Sequence, residues 1–441
     1  MNRSSIRRPA AGYLRYSLLP PESLRAFIDS TGPSSSKAQR LANPEPPHMD
    51  PARTTTLRLT CAHGQHEMLA MELEGLGRSI AASDRTGVEV QGNLHEAVRL
   101  NLLSRVAMRV LYLIDAFPCN HPDQLAKSAG AIPWETIIPS NGYLSVTSTI
   151  NHPTIDNTMF ANLRLKDAIV DRIRAVHGRR PDSGPLRTGV VVHLHWHGQT
   201  AQLWIDTSGE KLSDRSYRKM PHHAPLRETL AAAILMRAGY TGEAPIVIPM
   251  CGSGTLAIEA ALMATHRPPG LLRNRFGFQH LLGFDRGLYD SIRREVAPRR
   301  PRRSEGPKPT IIATDIDPAA IEATRKNAET AGVGHLIESS VCDFADTPLP
   351  EEPGIVILHP EYGLRLGDGD ALRETYARMG DFFKQRCGGW AGWIFTGNLE
   401  LAKVVGLRTS CRVPFKHASV DARLLGYELW KGSRKRKVTD A

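Results

Sequence analysis

The C-terminal half of the chain alternates short apolar segments with segments of helical length, and this alternation restricts the possible folds most strongly. Ile246–Pro249, Thr310–Thr314 and Gly354–Leu358 are apolar runs of strand length, each followed by a turn. Thr255–Ala264 and Pro318–Thr330 follow the first two runs and have helical length. A strand–helix–strand repeat predicts parallel strands covered by helices on both faces. We therefore expect a doubly wound α/β domain here.

The rest of the chain divides around this domain, which we place at residues 226–430. Residues 54–210 mix strands and helices in the manner of a compact α+β region, and residues 211–225 form a connector. Residues 267–309 interrupt the α/β repeat with prolines and arginines, so we interpret them as an arginine-rich insertion. Within the α+β region the predicted strands are Thr55–Thr60, Gly87–Gln91, Val106–Ile114, Tyr143–Ile150, Gly189–His195 and Thr200–Asp206. The predicted helices are Gln65–Leu76, Leu94–Leu103 and Met159–Val176, the last with Phe160, Leu163, Ile169 and Ile173 along one face.

The formal net charge of +11 is concentrated in three segments that look flexible in sequence. Residues 1–52 carry a net +3, residues 291–310 a net +5 and residues 431–441 a net +4. Such basic segments suit a polyanion such as nucleic acid, although solubility explains them equally well. Proline and serine clusters without hydrophobic periodicity predict a disordered N-terminal extension over residues 1–53 and a basic tail over residues 431–441.

Several classes of protein are excluded by composition. No apolar run approaches the ~20 residues of a membrane-spanning helix. The six cysteines are far apart and form no CxxC pair, which disfavours a disulfide scaffold or zinc ribbon and fits a reducing, cytoplasmic location. His193, His195 and His197 alternate on a predicted strand, but no carboxylate or cysteine lies nearby to complete a metal site. We predict no metal, and a strand that faces solvent or RNA.

The first motif that carries chemistry lies between the first apolar strand and its helix. Glycines in such a turn let a ligand approach the backbone, and the N–H groups that open the helix bind a carboxylate or phosphate. The motif is neither GxGxxG nor a lysine-bearing P-loop, so dinucleotides and nucleoside triphosphates are disfavoured. The predicted cofactor-binding residues of this glycine loop are Met250, Cys251, Gly252, Ser253, Gly254 and Thr255.

Two acidic residues follow at the next turns. Asp315 ends the second strand, where an acidic side chain binds a ribose diol, while Asp317 is expected to cap the helix that Pro318 opens. The insertion accounts for the long separation between the glycine loop and Asp315. Asp343 follows the next strand position and can accept a hydrogen bond from an adenine amino group. Taken alone, Asp343 fits an acidic loop residue without a ligand equally well.

A fourth site, His359-Pro360-Glu361-Tyr362-Gly363, follows the strand Gly354–Leu358. In order along the chain, the four sites supply a loop for a carboxylate, an acid for ribose, an acid for adenine and a loop for a substrate. This order is far more specific than any single site.

With these motifs, residues 54–430 resemble the THUMP-containing class I RNA methyltransferases of the large-subunit rRNA guanine-N2 type. The resemblance implies S-adenosylmethionine as methyl donor and structured RNA, large-subunit ribosomal RNA above all, as substrate. It also implies an N-terminal ferredoxin-like and THUMP region that captures RNA for a Rossmann-like catalytic domain. The matching segments are residues 206–210, 215–218, 224–232, 250–256 and 388–390.

The resemblance also suggests residues that contact RNA. Lys166 and Arg172 lie on the helix assigned to THUMP, where a solvated helix face is the alternative interpretation. Arg215, Tyr217 and Arg218 join the RNA-binding half to the catalytic half, and their alternative role is packing between domains.

The substrate loop departs from the family pattern Asn-Pro-Pro-Tyr-Gly at two positions. In the family, the Asn side-chain carbonyl and the following Pro carbonyl accept the two N–H bonds of a base amine, and the Tyr ring stacks on the base. Here Pro360 and Tyr362 remain, whereas His359 and Glu361 are substitutions. A neutral His359 accepts one hydrogen bond and a protonated one accepts none. We expect His359, Pro360, Glu361 and Tyr362 to be the catalytic residues.

Three functions are compatible with these residues. The first is a methyltransferase that acts on an exocyclic base amine of RNA, or on a different base atom, with His359 in place of Asn. The second is a catalytically impaired, methyltransferase-like RNA-binding or ribosome-assembly factor, because the loop differs from its family pattern. The third is a DNA amino-methyltransferase, against which the THUMP-like half argues.

Overall fold

A computed structural model describes residues 50–153, 155, 157–222, 225–298, 309–362, 369–417 and 420–431. Several sequence predictions therefore fall on residues outside the described ones: most of the N-terminal extension, Gly363 of the substrate loop, residues 299–308 of the insertion and nearly all of the basic tail. Within the described part of the chain, no helix has the length and apolar character needed to cross a membrane.

The N-terminal half forms one eight-stranded mixed sheet in the order β2-β3-β1-β4-β8-β7-β5-β6. The sheet is continuous because β4 pairs antiparallel with β8, which joins its first four strands to its last four. The strands are β1 (Thr55–Thr60), β2 (Ile80–Asp84), β3 (Gly87–Gly92), β4 (Arg109–Pro118), β5 (Tyr143–Asn151), β6 (Asp182–Ser183), β7 (Val190–His197) and β8 (Thr200–Asp206). The helices are α1 (His66–Gly75), α2 (Leu94–Leu103), α3 (Pro122–Gly130) and α4 (Thr158–His177).

The C-terminal half forms a seven-stranded sheet in the order β11-β10-β9-β12-β13-β15-β14. Its strands are β9 (Ile246–Pro249), β10 (Ile311–Asp315), β11 (Ile337–Val341), β12 (Ile355–Leu358), β13 (Ala391–Thr396), β14 (Cys411–His417) and β15 (Val420–Glu428). Its helices are α5 (Glu228–Arg237), α6 (Thr255–Ala264), α7 (Arg286–Val296), α8 (Pro318–Thr330), α9 (Gly369–Arg386) and α10 (Leu399–Val404). The doubly wound sheet is confirmed, with one correction to its parallel character. Strands β9 to β13 are parallel, but β15 runs antiparallel to both β13 and β14.

Local signals explain where the catalytic-half helices begin. The Asp317 carboxylate accepts a hydrogen bond from Ala319 N–H, and Pro318 is the first helical residue, so the predicted cap of α8 is confirmed. Helix α6 starts instead at Gly254, whose φ of +80° turns the chain sharply out of β9.

The described part of the insertion is folded rather than flexible. Two 3₁₀ turns, Pro269–Leu272 and Gly277–His280, precede α7, and Phe276, Phe278 and Tyr289 are buried between them. This corrects the flexible character expected for the first part of segment 291–310. The reason is that aromatic residues near the arginines supply a core that charge counting does not reveal. Helix α7 also packs against α2, so the insertion connects the two halves.

Candidate active site

The four predicted sites lie along one edge of the second sheet. Strands β9, β10, β11 and β12 are parallel, and their carboxyl ends therefore meet at that edge. The glycine loop, Asp315, Asp343 and His359 each follow one of these ends. In open α/β sheets this edge is where ligands bind.

The glycine loop is held in a conformation that favours glycine. Gly252 and Gly254 have φ values of +55° and +80°, and Met250 also has a positive φ of 60°. A Cβ on Gly254 would lie 2.8 Å from the Thr324 side chain, whereas a Cβ on Gly252 would meet nothing within 4 Å. Gly254 is therefore required for close packing on α8, and Gly252 faces open space that a ligand can enter.

Hydrogen bonds from α8 fix the same loop. Thr324 Oγ1 donates to the Gly252 carbonyl at 2.9 Å, and Asn327 Nδ2 donates to the Ser253 carbonyl at 3.1 Å. Burial raises the pKa of Cys251 to about 12, so its thiol stays protonated and is not a nucleophile.

Asp315 is positioned by two backbone hydrogen bonds. Its Oδ2 accepts from Gly252 N–H at 2.9 Å and its Oδ1 accepts from Asp317 N–H at 3.0 Å. Each carboxylate oxygen has a second lone pair, so both can still accept a ligand hydroxyl. The side chain therefore links the glycine loop to β10 and suits the predicted ribose role.

Asp343 caps a short 3₁₀ turn at the next strand end. Its Oδ1 accepts from Ala345 N–H at 2.9 Å and from the Arg378 guanidinium at 2.7 Å. Burial alone would raise the pKa of Asp343, but these two donors outweigh it and hold the pKa below its ordinary value. Because both bonds use Oδ1, Oδ2 remains for an adenine amino group.

The substrate loop places His359 and Tyr362 against a histidine that sequence reasoning missed. His359 Nε2 lies 3.1 Å from the Tyr362 hydroxyl, which in turn lies 3.2 Å from His417 Nδ1. Burial lowers the pKa of His359 to about 3, and the adjacent His417 contributes to this shift. His359 is therefore neutral at physiological pH and can accept a hydrogen bond.

Hydrogen bonds to backbone carbonyls hold the remaining part of the substrate loop in place. The Glu361 carbonyl accepts from the Tyr376 hydroxyl at 3.3 Å and the Tyr362 carbonyl accepts from Asn398 Nδ2 at 3.0 Å, while the Glu361 side chain is exposed. Pro360 is buried, and no hydrogen bond among the described residues ends on its carbonyl oxygen. That carbonyl remains a predicted acceptor for a base amine.

Arg215 and Tyr217 are buried inside the protein, which argues against their predicted contact with RNA. Both side chains are 1% exposed, and both face the buried carboxylate of Glu259 on α6. Arg215 also donates to the Arg105 carbonyl at 2.5 Å, which reaches back into the N-terminal half. Their shared role is packing between the two halves, the alternative that the sequence left open.

Arg218 is corrected in the same way, with a closer connection to the site. Its guanidinium donates to Ser253 Oγ at 3.0 Å, Thr255 Oγ1 at 3.1 Å and the Glu228 carboxylate at 2.7 Å. Burial raises the pKa of Glu228, and the neighbouring Arg218 partly offsets this rise. Arg218 thus supports the glycine loop, and its guanidinium donors are occupied by partners within the protein.

Lys166 and Arg172 lie on α4 as predicted, but each already has an acidic partner. Lys166 Nζ is 2.7 Å from the Asp167 carboxylate, and Arg172 makes a two-pronged ion pair with Glu135. Their contact with RNA stays a prediction. No group of three or more His, Cys, Asp or Glu suited to a metal ion occurs among the residues that the structure describes.

Thr324, Asn327 and His417 are site residues that the sequence did not reveal. Thr324 and Asn327 are three positions apart on α8, and a buried Asn inside an amphipathic helix is a signal that could have found them. His417 ends β14, a strand whose run is interrupted by Pro414, so its pattern gave no strand signal.

Three family models match the chain in sequence. They are an RlmL ferredoxin-like domain over residues 56–111, a THUMP domain over residues 119–206 and an RMKL-like methyltransferase domain over residues 215–424. The putative RNA methyltransferase slr0064 of Synechocystis is 34% identical over 86% of this chain and 98% of its own length. The chain belongs to the THUMP-domain RNA methyltransferase family.

Two further comparisons support this family membership. The ribosomal RNA large subunit methyltransferase K/L of Syntrophotalea carbinolica is 38% identical over 84% of this chain. The match covers 53% of that protein, so this chain spans about half the length of such relatives. Among solved structures, SMU.472, a putative methyltransferase complexed with SAH, superposes with a TM-score of 0.76 at 26% identity, over 86% of this chain and 99% of that chain. The predicted family, fold class and S-adenosylmethionine cofactor are confirmed.

Proposed function

We propose that this THUMP-domain protein transfers a methyl group from S-adenosylmethionine to an exocyclic amine, guanine N2, of large-subunit ribosomal RNA. The observation that carries the proposal is the meeting of the glycine loop, Asp315, Asp343 and His359 at one sheet edge. Relatives named as large-subunit rRNA methyltransferases support the RNA substrate. Since ribosomal RNA is their substrate, we expect the protein to act in the cytoplasm.

The residues present fit the cofactor. The glycine loop offers open space at Gly252 and helix N-terminal N–H groups for the methionine carboxylate. Asp315 has lone pairs for the ribose hydroxyls, and Asp343 Oδ2 has lone pairs for the adenine amino group. S-adenosylmethionine supplies an electrophilic methyl group there.

The chain's own contribution to the chemistry is orientation of the amine. A base amine is a weak nucleophile because its lone pair is delocalised into the ring. Neutral His359 and the Pro360 carbonyl each accept one of its N–H bonds, which fixes the nitrogen and favours a pyramidal geometry. With the cofactor bound, the amine nitrogen would take the methyl group while the electrons of the carbon–sulfur bond stay on sulfur, and the amine would lose one proton to water, since the weakly basic His359 does not take it up. The Tyr362 ring provides a surface for the base.

The test measures cofactor binding and methyl transfer on one sample. Calorimetry with S-adenosylmethionine should show one site, and labelled cofactor should then transfer its label to a large-subunit rRNA transcript. Excess duplex DNA should leave the transfer intact. Absence of cofactor binding would contradict the proposal, and binding without transfer to any rRNA transcript would indicate a catalytically impaired RNA-binding factor. Transfer to the duplex instead would indicate a DNA methyltransferase.

A further inference from the structure

A chain of three side chains connects the substrate loop to the far edge of the second sheet. His359 follows β12, Tyr362 lies three residues on, and His417 ends β14. The Tyr362 hydroxyl lies between a nitrogen of each histidine, at 3.1 Å from His359 Nε2 and 3.2 Å from His417 Nδ1. A hydroxyl has one proton to donate, so it donates to one histidine and accepts from the other. The two hydrogen bonds therefore run in the same direction along the three side chains.

The backbone fixes that direction. The Pro225 backbone is a hydrogen-bond partner of the His417 ring, and because proline has no N–H group, its carbonyl must be the acceptor. Since His417 Nδ1 faces Tyr362, the donated proton belongs to Nε2. Burial and the charge of Arg227 lower the pKa of His417 despite this bond, so the ring is neutral and its Nδ1 is an acceptor.

The remaining bonds follow in order. With His417 Nδ1 as the acceptor, the Tyr362 hydroxyl, 3.2 Å away, is the donor of that hydrogen bond. Its oxygen must then accept from His359 Nε2–H, which places the single proton of His359 on Nε2. His359 Nδ1 carries a lone pair, makes no hydrogen bond within the described part of the chain and is not among the buried polar atoms without a partner.

We propose that His417 is a positioning residue that acts through the Tyr362 hydroxyl to hold His359 in the Nε2–H tautomer, leaving Nδ1 to accept a base amine. This inference rests on the proposed function and explains how a histidine can serve where the family has asparagine. An asparagine carbonyl is always an acceptor, whereas a histidine nitrogen is one only in the right tautomer. The relay, defined as His359, Tyr362 and His417, removes that ambiguity.

The first test reads the tautomer directly. Nitrogen-15 NMR of histidine-labelled full-length protein distinguishes a protonated ring nitrogen from a bare one, and His359→Asn assigns the signal. We expect His359 to be in the Nε2–H form in the wild type and a mixture of forms in Tyr362→Phe. The exposed His335→Gln is the matched control and should leave the signal unchanged. A wild-type His359 in the Nδ1–H form would overturn the proposal.

The second test separates positioning from stability. His417→Leu should lower kcat for methyl transfer to an rRNA transcript by about tenfold to a hundredfold while KM for RNA stays constant. His417→Asn, which places an amide oxygen near the position of Nδ1, should recover most of the loss. Equal kcat in His417→Leu and His335→Gln would overturn the relay. If the wild type transfers no methyl group, the proposed function fails, and the tautomer measurement still decides the relay.

Discussion

Asp315 is the single residue on which we expect cofactor binding to depend most. Its carboxylate has lone pairs for two ribose hydroxyls and also accepts the Gly252 N–H bond that shapes the glycine loop. Asp315→Ala should weaken S-adenosylmethionine binding by about a hundredfold, since hydrogen bonds to a charged group contribute about 1.5–3 kcal/mol each. Calorimetry measures this change. The exposed Asp346→Ala, on the same edge, is the control, and equal affinities of the two variants would remove the ribose assignment.

His359 links the site to the pH dependence of stability. The folded ring has a pKa of about 3, whereas an unfolded ring titrates near its ordinary value of about 6.5. Between these values the unfolded state binds one more proton, so the free energy of unfolding falls as pH falls below about 6.5. His359→Asn should remove a slope of up to about 1.4 kcal/mol per pH unit from urea unfolding curves measured between pH 6.5 and 4. Parallel pH profiles of wild type and variant would show that the ring is not desolvated.

At the scale of elements, the turn from β9 into α6 depends on Gly254. Gly254→Ala must accommodate a positive φ and a contact of 2.8 Å with Thr324, so α8 and the glycine loop have to separate. We expect a loss of S-adenosylmethionine affinity of about tenfold or more, measured by calorimetry. Gly239→Ala is the matched control, because Gly239 has a φ of +79° but open space around its Cβ position. Equal affinity in the two variants would mean that the close contact of residue 254 with Thr324 does not affect the cofactor site.

Element prediction succeeded where periodicity or capping was strong. Strands β1, β8 and β9 and helices α2, α6 and α8 have the predicted bounds, because alternation, continuous apolar runs or cap residues mark them.

Helix α4 shows the limit of a periodic pattern. Ile169 and Ile173 are buried as expected, but Phe160 and Leu163 are 48% and 49% exposed. The buried stripe of α4 runs instead through Ala161 and Leu165, so the helix is rotated relative to the predicted face at its start. Strand β14 was missed because its sequence lacks a regular strand pattern. Pro414 disrupts its pattern, yet an edge strand tolerates a proline.

At the scale of the whole molecule, Arg218 and its neighbours show how the connector joins both halves to the site. Arg218→Ala would leave the buried Glu228 without its guanidinium partner and the glycine loop without support. We expect a loss of about 3–5 kcal/mol in the free energy of unfolding, measured by urea denaturation.

A comparison of Arg218→Ala with Arg172→Ala distinguishes a packing role from contact with RNA. Arg172→Ala, on the THUMP helix, should change RNA affinity with a smaller effect on stability, because its ion pair with Glu135 is more exposed. If Arg218→Ala instead weakens RNA binding at unchanged stability, Arg218 contacts RNA and packing is not its main role.

The joining of the halves could not be read from sequence. Arg273 looks like one more charge of a basic insertion, yet it is buried and donates to the carbonyls of Glu210, Lys211, Asp214 and Arg275. Burial lowers the pKa of Arg273 to about 10, still well above physiological pH, so the cation persists. Such contacts depend on tertiary proximity, which local patterns do not encode. The meeting of the four predicted ligand sites at one sheet edge could be predicted, because parallel strands place their carboxyl ends together.

The proposed activity is methyl transfer to guanine N2 of RNA by a site with histidine in place of asparagine. The most direct measurement is mass spectrometry of the nucleosides from a large-subunit rRNA transcript incubated with the protein and isotopically labelled S-adenosylmethionine. We expect labelled N2-methylguanosine with the wild type and none with Asp315→Ala. Label in a different nucleoside, or none from a protein that binds both cofactor and transcript, would contradict the account.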